Sequence, residues 1–256
     1  MFQIGQKAMA LSFASSDPEQ ALEQPAGLQL FAEQEEVGWH AHQESQLVWV
    51  TQGCMSMETS RGRWLVPAGR MGWFPGREPH RGRVLRPASG ISLYVRHDWL
   101  SYPTVFDGSE LGRALLKALL QPAAGAVQAR RLAALADEVR LAKALSVGLP
   151  LAGAPRLKRL CETLAHDPAK APPLERAAAQ VALSRRSFSR HFKLETGMSY
   201  GQWLQLARVH QSLVLLAEGV RVGDVALAVG YDSVSAFCQA FRQLMGLSPK
   251  RWQSGG

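Results

Sequence analysis

Apolar residues in the last third of the chain follow a helical spacing, and the pattern is present twice. Six positions that share one offset indicate a single structural unit used twice. The first copy is followed 49 residues later by the second: Ser184, Phe188, Phe192, Gly197, Ser199 and Trp203, then Ser233, Phe237, Phe241, Gly246, Ser248 and Trp252.

Each copy has the features of a capped helix preceded by a shorter one. The serine can cap the free N–H groups of a starting helix, and two phenylalanines four residues apart share one face. The glycine can end the helix. The preceding stretches, 174–181 and 222–229, each carry a small residue, Ala178 or Ala226, where another helix can cross closely. This arrangement predicts two helix-turn-helix units.

We place these units at residues 174–193 and 222–242, and the second helix of each presents polar side chains around its phenylalanines. Arg can contact guanine through two hydrogen bonds, Gln can contact adenine, and short side chains let a helix approach a groove closely. A solvated basic surface on an ordinary helical domain is the alternative. The exposed positions are Arg185, Arg186, Ser187, Ser189, Arg190 and Lys193, and Ser233, Val234, Ser235, Gln239, Arg242 and Gln243.

The distribution of charge favours the first interpretation. The chain has 29 Lys and Arg against 21 Asp and Glu, a net charge of +8. From Arg156 onward there are 14 basic against 7 acidic residues, whereas residues 1–155 hold 15 against 14. Positive charge concentrated in one helical module favours a polyanionic partner. DNA is favoured over a membrane surface, because the sequence has no long basic amphipathic helix with bulky apolar anchors.

The first half of the chain has a different pattern. Short apolar runs separated by Gly and Pro are typical of a small antiparallel barrel or sandwich. The predicted strands are residues 47–51, 55–59, 64–66, 71–74 and 91–95, and helical spacing follows at 111–120 and 127–147. Gly and Pro between residues 148 and 155 break any helix. We therefore predict an N-terminal domain over 1–148, a linker over 149–156 and a C-terminal domain over 157–256.

The sequence shows neither a signal segment nor a run of apolar residues long enough to span a membrane. The three cysteines, Cys54, Cys161 and Cys238, are far apart and form no C-x-x-C pair. Reduced and mostly buried thiols are typical of cytosolic proteins. We therefore expect a cytoplasmic protein without a membrane partner.

The stretch from Leu174 to Trp252 resembles the DNA-binding domain of the AraC/XylS family of transcriptional regulators, most diagnostically from Gly230 onward. The resemblance implies two helix-turn-helix units joined by a long helix, here residues 200–217, with a length of about 27 Å. Successive major grooves on one face of DNA repeat at roughly 34 Å, so the two second helices could enter neighbouring grooves. The chain departs from the family at Ala177, usually a larger aliphatic residue, and at Ala182, often Gly.

The resemblance also assigns roles, carried over position by position. Base contacts are expected from Arg186, Ser189, Arg190, Val234, Ser235 and Gln239. Phosphate contacts, which fix the register without selecting a sequence, are expected from Arg185, Lys193 and Arg242. The alternative for Arg190 and Arg242 is an ion pair within the domain, with Glu195 or Asp224.

The predicted barrel holds the one group of residues that could carry chemistry. His40 and His42 are two apart, so on a strand their side chains point to the same side. The run 40–46, followed by Gly53, resembles the first motif of the cupin barrel, and the run 69–80 resembles the second, which supplies His80. Three neutral imidazoles inside a barrel can hold Zn²⁺, Ni²⁺, Fe²⁺ or Mn²⁺ with an open position.

Two residues depart from the metal-binding cupins. Gln46 stands where a glutamate usually ligates, and Arg77 replaces a glycine of the second motif. The missing anionic ligand weakens metal binding and argues against oxidative catalysis. The histidines and Gln46 therefore hold a metal, line a small-molecule pocket without a metal, or are purely structural. Trp49 and Trp73 could line an effector pocket, with core packing as the alternative.

These motifs together resemble a subgroup of AraC-type regulators with cupin-like sensor domains, some of which are linked to drug-resistance and efflux genes. The resemblance implies a transcription regulator and no enzyme. Its barrel would bind a small molecule or a metal and alter how the C-terminal domain binds double-stranded DNA. The alternatives are a metal-dependent cupin enzyme with an appended helical module, and a DNA-binding protein whose barrel only dimerises.

The expected fold class is α+β, with a jelly-roll, cupin-like β-barrel and covering helices followed by an all-α tandem helix-turn-helix domain. In cupin-type regulators the helices after the barrel often mediate dimerisation, so a homodimer is expected. The alternative role for these helices is to cover the barrel. The side chains that could serve either role are those of segment 111–120 and of Leu132, Leu135, Val139 and Leu141.

Overall fold

The computed structural model describes residues 27–33, 37–145 and 147–254. The chain divides into two compact units, one of Met1–Thr59 and Trp64–Leu145 and the other of Ser60–Arg63 and Ser146–Gly256. The described part of the first unit is an antiparallel sheet with two helices, and that of the second is mainly helical. The predicted mixed fold class is confirmed.

The sheet of the first unit is antiparallel throughout its described pairs. Strand β6 pairs with β1, β2 and β3, and β5 pairs with β3 and β7. The strands are β1 (Gly27–Glu33), β2 (Val37–His40), β3 (Ser45–Thr59), β4 (Gly62–Pro67), β5 (Arg70–Phe74), β6 (His80–Val95) and β7 (Thr104–Asp107).

Strand β3 joins two of the predicted strands into one. The runs 47–51 and 55–59 are parts of one continuous strand. Its register against β6 shifts between Val50 and Met55. Gly53 lies in this irregular stretch with a φ of 76°, and a Cβ there would come within 2.1 Å of the Pro87 carbonyl oxygen. The glycine therefore marks a bulge that bends the strand without ending it.

Strand β6 is bent so strongly that its two ends approach one side chain. The His42 ring lies 4.8 Å from the ring of His80, at the start of β6, and 5.2 Å from that of Tyr94, near its end. In a straight strand these two residues would be about 46 Å apart, at about 3.3 Å per residue. The sheet therefore curls over itself, as a barrel does, and His42 lies where the ends of β6 meet.

Two helices cover one face of this sheet. Helix α1 (Glu110–Leu119) begins at Ser109, whose side chain accepts the Gly112 N–H, and α2 (Gly125–Leu141) follows. Helical spacing was predicted to continue to residue 147, but α2 ends at Leu141. Leu145 instead donates its N–H to the Val105 carbonyl at 2.7 Å and so pairs with β7.

The side chains expected at a dimer interface mostly face the sheet. Leu132, Leu135 and Val139 are buried against residues of β3, β5 and β6, whereas Leu111 and Leu141 are exposed. Covering the sheet is therefore the role that most of these side chains have within the described first unit.

The second unit contains a short strand and a series of helices. The helix predicted at 200–217 has those bounds. The elements are β8 (Gly148–Pro150), α3 (Pro155–His166), a 3₁₀ turn (Pro168–Lys170), α4 (Leu174–Gln180), α5 (Arg185–Thr196), α6 (Tyr200–Ala217), α7 (Val222–Ala228), α8 (Val234–Met245) and α9 (Pro249–Ser254). Within the described residues, no helix is both long enough and apolar enough to cross a membrane.

The duplicated pattern has the local structure that it predicts. Ser184 accepts the Ser187 N–H at 3.2 Å, and Ser233 makes the same bond with Ala236. Gly197 and Gly246 end their helices with a φ of 77°. Helix α5 thus begins after Ser184, is anchored by Phe188 and Phe192, and ends at Gly197, and α8 is built in the same way. All four phenylalanines are fully buried.

The turns of the two units differ by one residue. Helices α4 and α7 start 48 residues apart and α5 and α8 start 49 apart, so the turn before α8 is longer. Ala182 and Gly230 both take positive φ, 57° and 88°. Ala182 therefore holds a left-handed conformation that glycine adopts without steric cost.

We predict that Ala182→Gly raises the free energy of unfolding of the second unit by about 1 kcal/mol, because the left-handed strain of Ala182 is relieved. Urea denaturation of the full chain, followed by tryptophan fluorescence, measures the change. Gly197→Ala is the matched control, since its Cβ meets no atom but its φ is 77°, and it should lower stability. A destabilised Ala182→Gly variant would contradict this account.

Candidate DNA-contacting helices and histidine cluster

Helix α5 is held by aromatic packing on one face. Phe188 and Phe192 lie 5.3 Å apart, and Tyr200 contacts both rings. In α8, Phe237 and Phe241 pack together at 5.7 Å. Because these faces are buried, the opposite faces are open to solvent. All nine predicted DNA contacts are exposed: Arg185, Arg186, Ser189, Arg190, Lys193, Val234, Ser235, Gln239 and Arg242.

The acidic residues that could neutralise these arginines have other partners. Asp224 pairs with Arg221 at 2.7 Å. A Glu195 carboxylate oxygen accepts the Ala154 N–H at 2.7 Å. Neither Arg190 nor Arg242 forms an ion pair with a described residue. The alternative role considered for them, an ion pair with Glu195 or Asp224, is therefore absent from the described structure.

Arg185 is the predicted phosphate contact that does have an acidic partner. It lies 3.1 Å from a carboxylate oxygen of Glu175, and both side chains are mostly exposed. Exposed pairs of this kind contribute little to stability, so the contact leaves Arg185 available to a phosphate at small cost.

The three candidate histidines converge from two strands and a turn. His40 at the end of β2 is the direct cross-strand partner of His80 at the start of β6. Strand β2 ends at His40, so His42 lies beyond it. The predicted reason for their approach, alternation along one strand, is therefore wrong. The chain turns after His40, and this turn places the His42 ring beside those of His40 and His80.

A turn of the second motif holds His42 in place. Arg77 donates its N–H to the His42 carbonyl at 2.8 Å, and Gly76 donates to the Ser45 hydroxyl at 2.9 Å. A Cβ on Gly76 would come within 2.3 Å of the Gln43 carbonyl oxygen. Arg77 has a φ of 63°, a left-handed conformation that glycine adopts without steric cost.

The three rings lie close enough to share one ion. Ring centroids are 4.3 Å apart for His40 and His80, 4.8 Å for His42 and His80, and 5.7 Å for His40 and His42. One ligand nitrogen from each lies within 4.8 Å of the others. Ligands roughly 2.1 Å from a tetrahedral zinc ion are about 3.4 Å apart, so small ring rotations would suffice.

Each histidine also has its tautomer fixed by a backbone carbonyl. A carbonyl oxygen can only accept, so each Nδ1 carries the proton and Nε2 keeps its lone pair for a metal. The carbonyls belong to Gly38 (2.8 Å from His40), Glu44 (2.6 Å from His42) and Glu78 (2.9 Å from His80).

The burial of the cluster suits a bound cation. His40 is exposed, His42 half-buried and His80 buried, so the cluster is open on one side. The buried Nε2 atoms of His42 and His80 have no hydrogen-bond partner. Burial lowers the pKa of His80, despite the opposing bond to the Glu78 carbonyl, and keeps the ring neutral. Two orphaned buried nitrogens and one accessible imidazole fit a transition metal.

Gln46 is used differently from the glutamate of the cupin motif. Its amide nitrogen donates to the Ser92 hydroxyl and to the Tyr94 hydroxyl, each at 3.1 Å. Ser92 and Tyr94 were missed by the sequence analysis, although the alternation of polar and apolar residues over 91–95 places both on one face of a strand. They form a polar layer beside His42.

The two tryptophans expected in an effector pocket belong to the hydrophobic core. Trp49 and Trp73 are buried in the cluster that includes α1 and α2. Trp73 stacks on Trp99 at 5.0 Å and donates its indole N–H to the Leu100 carbonyl. This is the packing alternative, and it does not support a pocket role.

Comparison with known proteins matches both halves of the chain. A family described as helix-turn-helix domain matches residues 177–255, and one described as AraC-like ligand binding domain matches residues 31–145. The chain belongs to the AraC family of transcriptional regulators. It is a transcriptional regulator with an N-terminal ligand-binding domain and a C-terminal helix-turn-helix DNA-binding domain.

Named relatives of this AraC-type regulator are regulators too. The transcriptional regulator NimR of Escherichia coli K12 is 28% identical over 220 residues, 83% of this chain and 81% of NimR. RipA of Corynebacterium glutamicum is 30% identical over 106 residues, 41% of this chain and 32% of RipA. Among solved structures, ToxT from Vibrio cholerae is 10% identical with a TM-score of 0.40, covering 89% of this chain and 98% of ToxT.

Proposed function

We propose that α5 and α8 of this AraC-type regulator enter successive major grooves and contact bases. Two observations support the proposal: both helices are anchored by buried phenylalanines, and their opposite faces are exposed. Val234 is an exposed apolar side chain on such a face, as a contact to a thymine methyl group requires. The proposed base contacts are Arg186, Ser189, Arg190, Val234, Ser235 and Gln239, and the proposed phosphate contacts are Arg185, Lys193 and Arg242.

We predict that Arg190→Ala weakens binding to a selected DNA site by about 1–3 kcal/mol and relaxes base preference at one position. Fluorescence anisotropy with the site and its single-base variants measures both effects. The matched control is Lys193→Ala, one turn along α5. It should weaken binding to all sequences alike and reduce the salt dependence. Unchanged base preference in Arg190→Ala would exclude that side chain as a base contact.

We further propose that the sheet domain binds one divalent transition metal through His40, His42 and His80. The observation that carries this proposal is the pair of buried, unpartnered Nε2 atoms beside a third imidazole. The three rings would hold the ion, and the carbonyls bound to Nδ1 would orient them. Zinc, nickel, iron and manganese all accept imidazole, and the bound ion would supply a Lewis-acidic position for a further ligand.

We predict that tag-free protein purified from cells carries close to one metal ion per chain and that His42→Ala loses it. Elemental analysis by mass spectrometry measures the content and identifies the ion. His97→Ala is the matched control, because His97 is exposed and outside the cluster, and it should retain the metal. Metal-free wild-type protein that also binds none on reconstitution would contradict the proposal.

The alternative functions have less support. A metal-dependent cupin enzyme usually has a glutamate ligand beside its histidines, yet the neutral amide of Gln46 stands at that position and is engaged by Ser92 and Tyr94. We therefore infer a sensor and no enzyme. The homodimer and the cytoplasmic location stay predictions. Sedimentation of the full chain would decide the former.

A further inference from the structure

The turn of the second helix-turn-helix unit differs from that of the first in one side chain and one added residue. Tyr231 donates its N–H to the Ala226 carbonyl at 2.9 Å, as Leu183 does to the Ala178 carbonyl at 3.0 Å. The two residues are therefore equivalent, and the second unit has a tyrosine where the first has a leucine. Asp232 is the residue that lengthens the turn.

Tyr231 connects α6 to α8, one of the two helices proposed to contact bases, which are called the reading helices below. The guanidinium carbon of Arg208, in the middle of α6, lies 5.3 Å from the centroid of the Tyr231 ring. The same ring packs against Phe237 of α8, with centroids 5.6 Å apart. Three side chains thus form a continuous row from α6 to the second reading helix.

Gly230 allows this turn to lie close to two other parts of the second unit. Its φ is 88°, and a Cβ there would come within 2.9 Å of the Ala169 Cα and 3.2 Å of an Arg208 guanidinium nitrogen. Ala169 belongs to the 3₁₀ turn that precedes α4, the first helix of the first helix-turn-helix unit. The turn is therefore packed both on α6 and on the segment that leads into the first helix-turn-helix unit.

The first reading helix, α5, is attached to the other part of α6. Tyr200, the first residue of α6, contacts the rings of Phe188 and Phe192, each at 5.6 Å. Its hydroxyl donates to the Pro172 carbonyl at 2.8 Å. Tyr200 and Arg208 are eight residues apart, about 12 Å along the helix axis. One helix therefore carries the attachments of both reading helices.

The chemistry of the contact depends on the guanidinium and the ring face. The Nε of Arg208 and the hydroxyl of Tyr231 are buried, and neither has a hydrogen-bond partner among the described residues. Hydrogen bonds from these two atoms therefore do not hold the pair together. A cation is attracted to the face of an aromatic ring, and the attraction is stronger where water is excluded.

We propose that the contact of Arg208 with Tyr231 fixes the separation of the two reading helices, and with it the spacing of the two DNA half-elements that the regulator accepts. The inference rests on the proposed function of α5 and α8. Helices that enter successive grooves must match a repeat of roughly 34 Å. Holding them at that distance before binding avoids the cost of ordering them on DNA. Arg208 is thus a positioning residue that acts through Tyr231.

Arg208→Met tests the contact, because methionine keeps an unbranched apolar side chain and removes the guanidinium. The probe is a DNA site selected from random sequences by the full-length wild-type chain. It is used intact, with one base pair inserted between the half-elements, and with one half-element replaced. Fluorescence anisotropy measures each affinity.

The insertion should weaken binding of the wild type about 10-fold or more, an effect comparable to that of one mismatched base pair. Arg208→Met should bind the intact site about 10-fold more weakly, since its reading helices must be ordered on DNA. It should also lose most of the insertion penalty, because loosely held helices tolerate a changed spacing. Its affinity for a single half-element should equal that of the wild type.

Two variants of Tyr231 make the test independent of the folding of Arg208→Met. Tyr231→Leu places the residue of the first unit in the second, removes the ring face, and should behave as Arg208→Met does. Tyr231→Phe is the matched control. It keeps the ring and removes a hydroxyl without a hydrogen-bond partner in the described structure, so it should behave as the wild type does.

The outcomes distinguish this inference from the proposed function. Wild-type protein without sequence-specific DNA binding removes the proposed function and the inference with it. Specific binding with an insertion penalty that is equal in wild type, Arg208→Met and Tyr231→Leu overturns the inference alone. The same conclusion follows if both variants lose half-element binding as strongly as intact-site binding, because the contact would then serve folding only.

Discussion

The bend of β6 is the constraint on which the sensor site depends. It brings His80 and Tyr94, fourteen positions apart in one strand, into contact with the same imidazole, that of His42. In a straight strand these two residues would lie about 46 Å apart, and no single side chain could contact both. The irregular register of β3 around Gly53 allows this bend, because a bulge increases local twist and lets two long strands curve together.

In the second unit the corresponding constraint is aromatic burial. The paired phenylalanines of α5 and α8 each fix which side of the helix faces inwards, and truncating such a side chain typically costs about 3–5 kcal/mol. The exposed arginines, serines and glutamine are therefore presented by packing on the opposite side. The serine caps and glycine ends of α5 and α8 are satisfied locally.

The sequence predicted the helical half closely because its signals are local. Helix α6 has the predicted bounds, 200–217, and the structure shows a capping box at its start between the N-cap Ser199 and Gln202. The sheet was predicted less well, because 47–51 and 55–59 were predicted as separate strands, whereas both belong to β3 and Gly53 lies in the bulge between them. Helix α2 carries no side-chain cap signal at its end, which backbone pairing with β7 decides. The partners of Gln46 depend on the register of β3 against β6, which no local pattern specifies.

We propose that occupation of the histidine cluster by a metal changes DNA binding by the helix-turn-helix domain. The most direct test measures the affinity of the full chain for a DNA site selected from random sequences, with metal bound and with metal removed. We expect affinities that differ by at least about 5-fold, the lower range of allosteric coupling, and no metal dependence in His42→Ala. Equal affinities for metal-loaded and metal-free protein would contradict it.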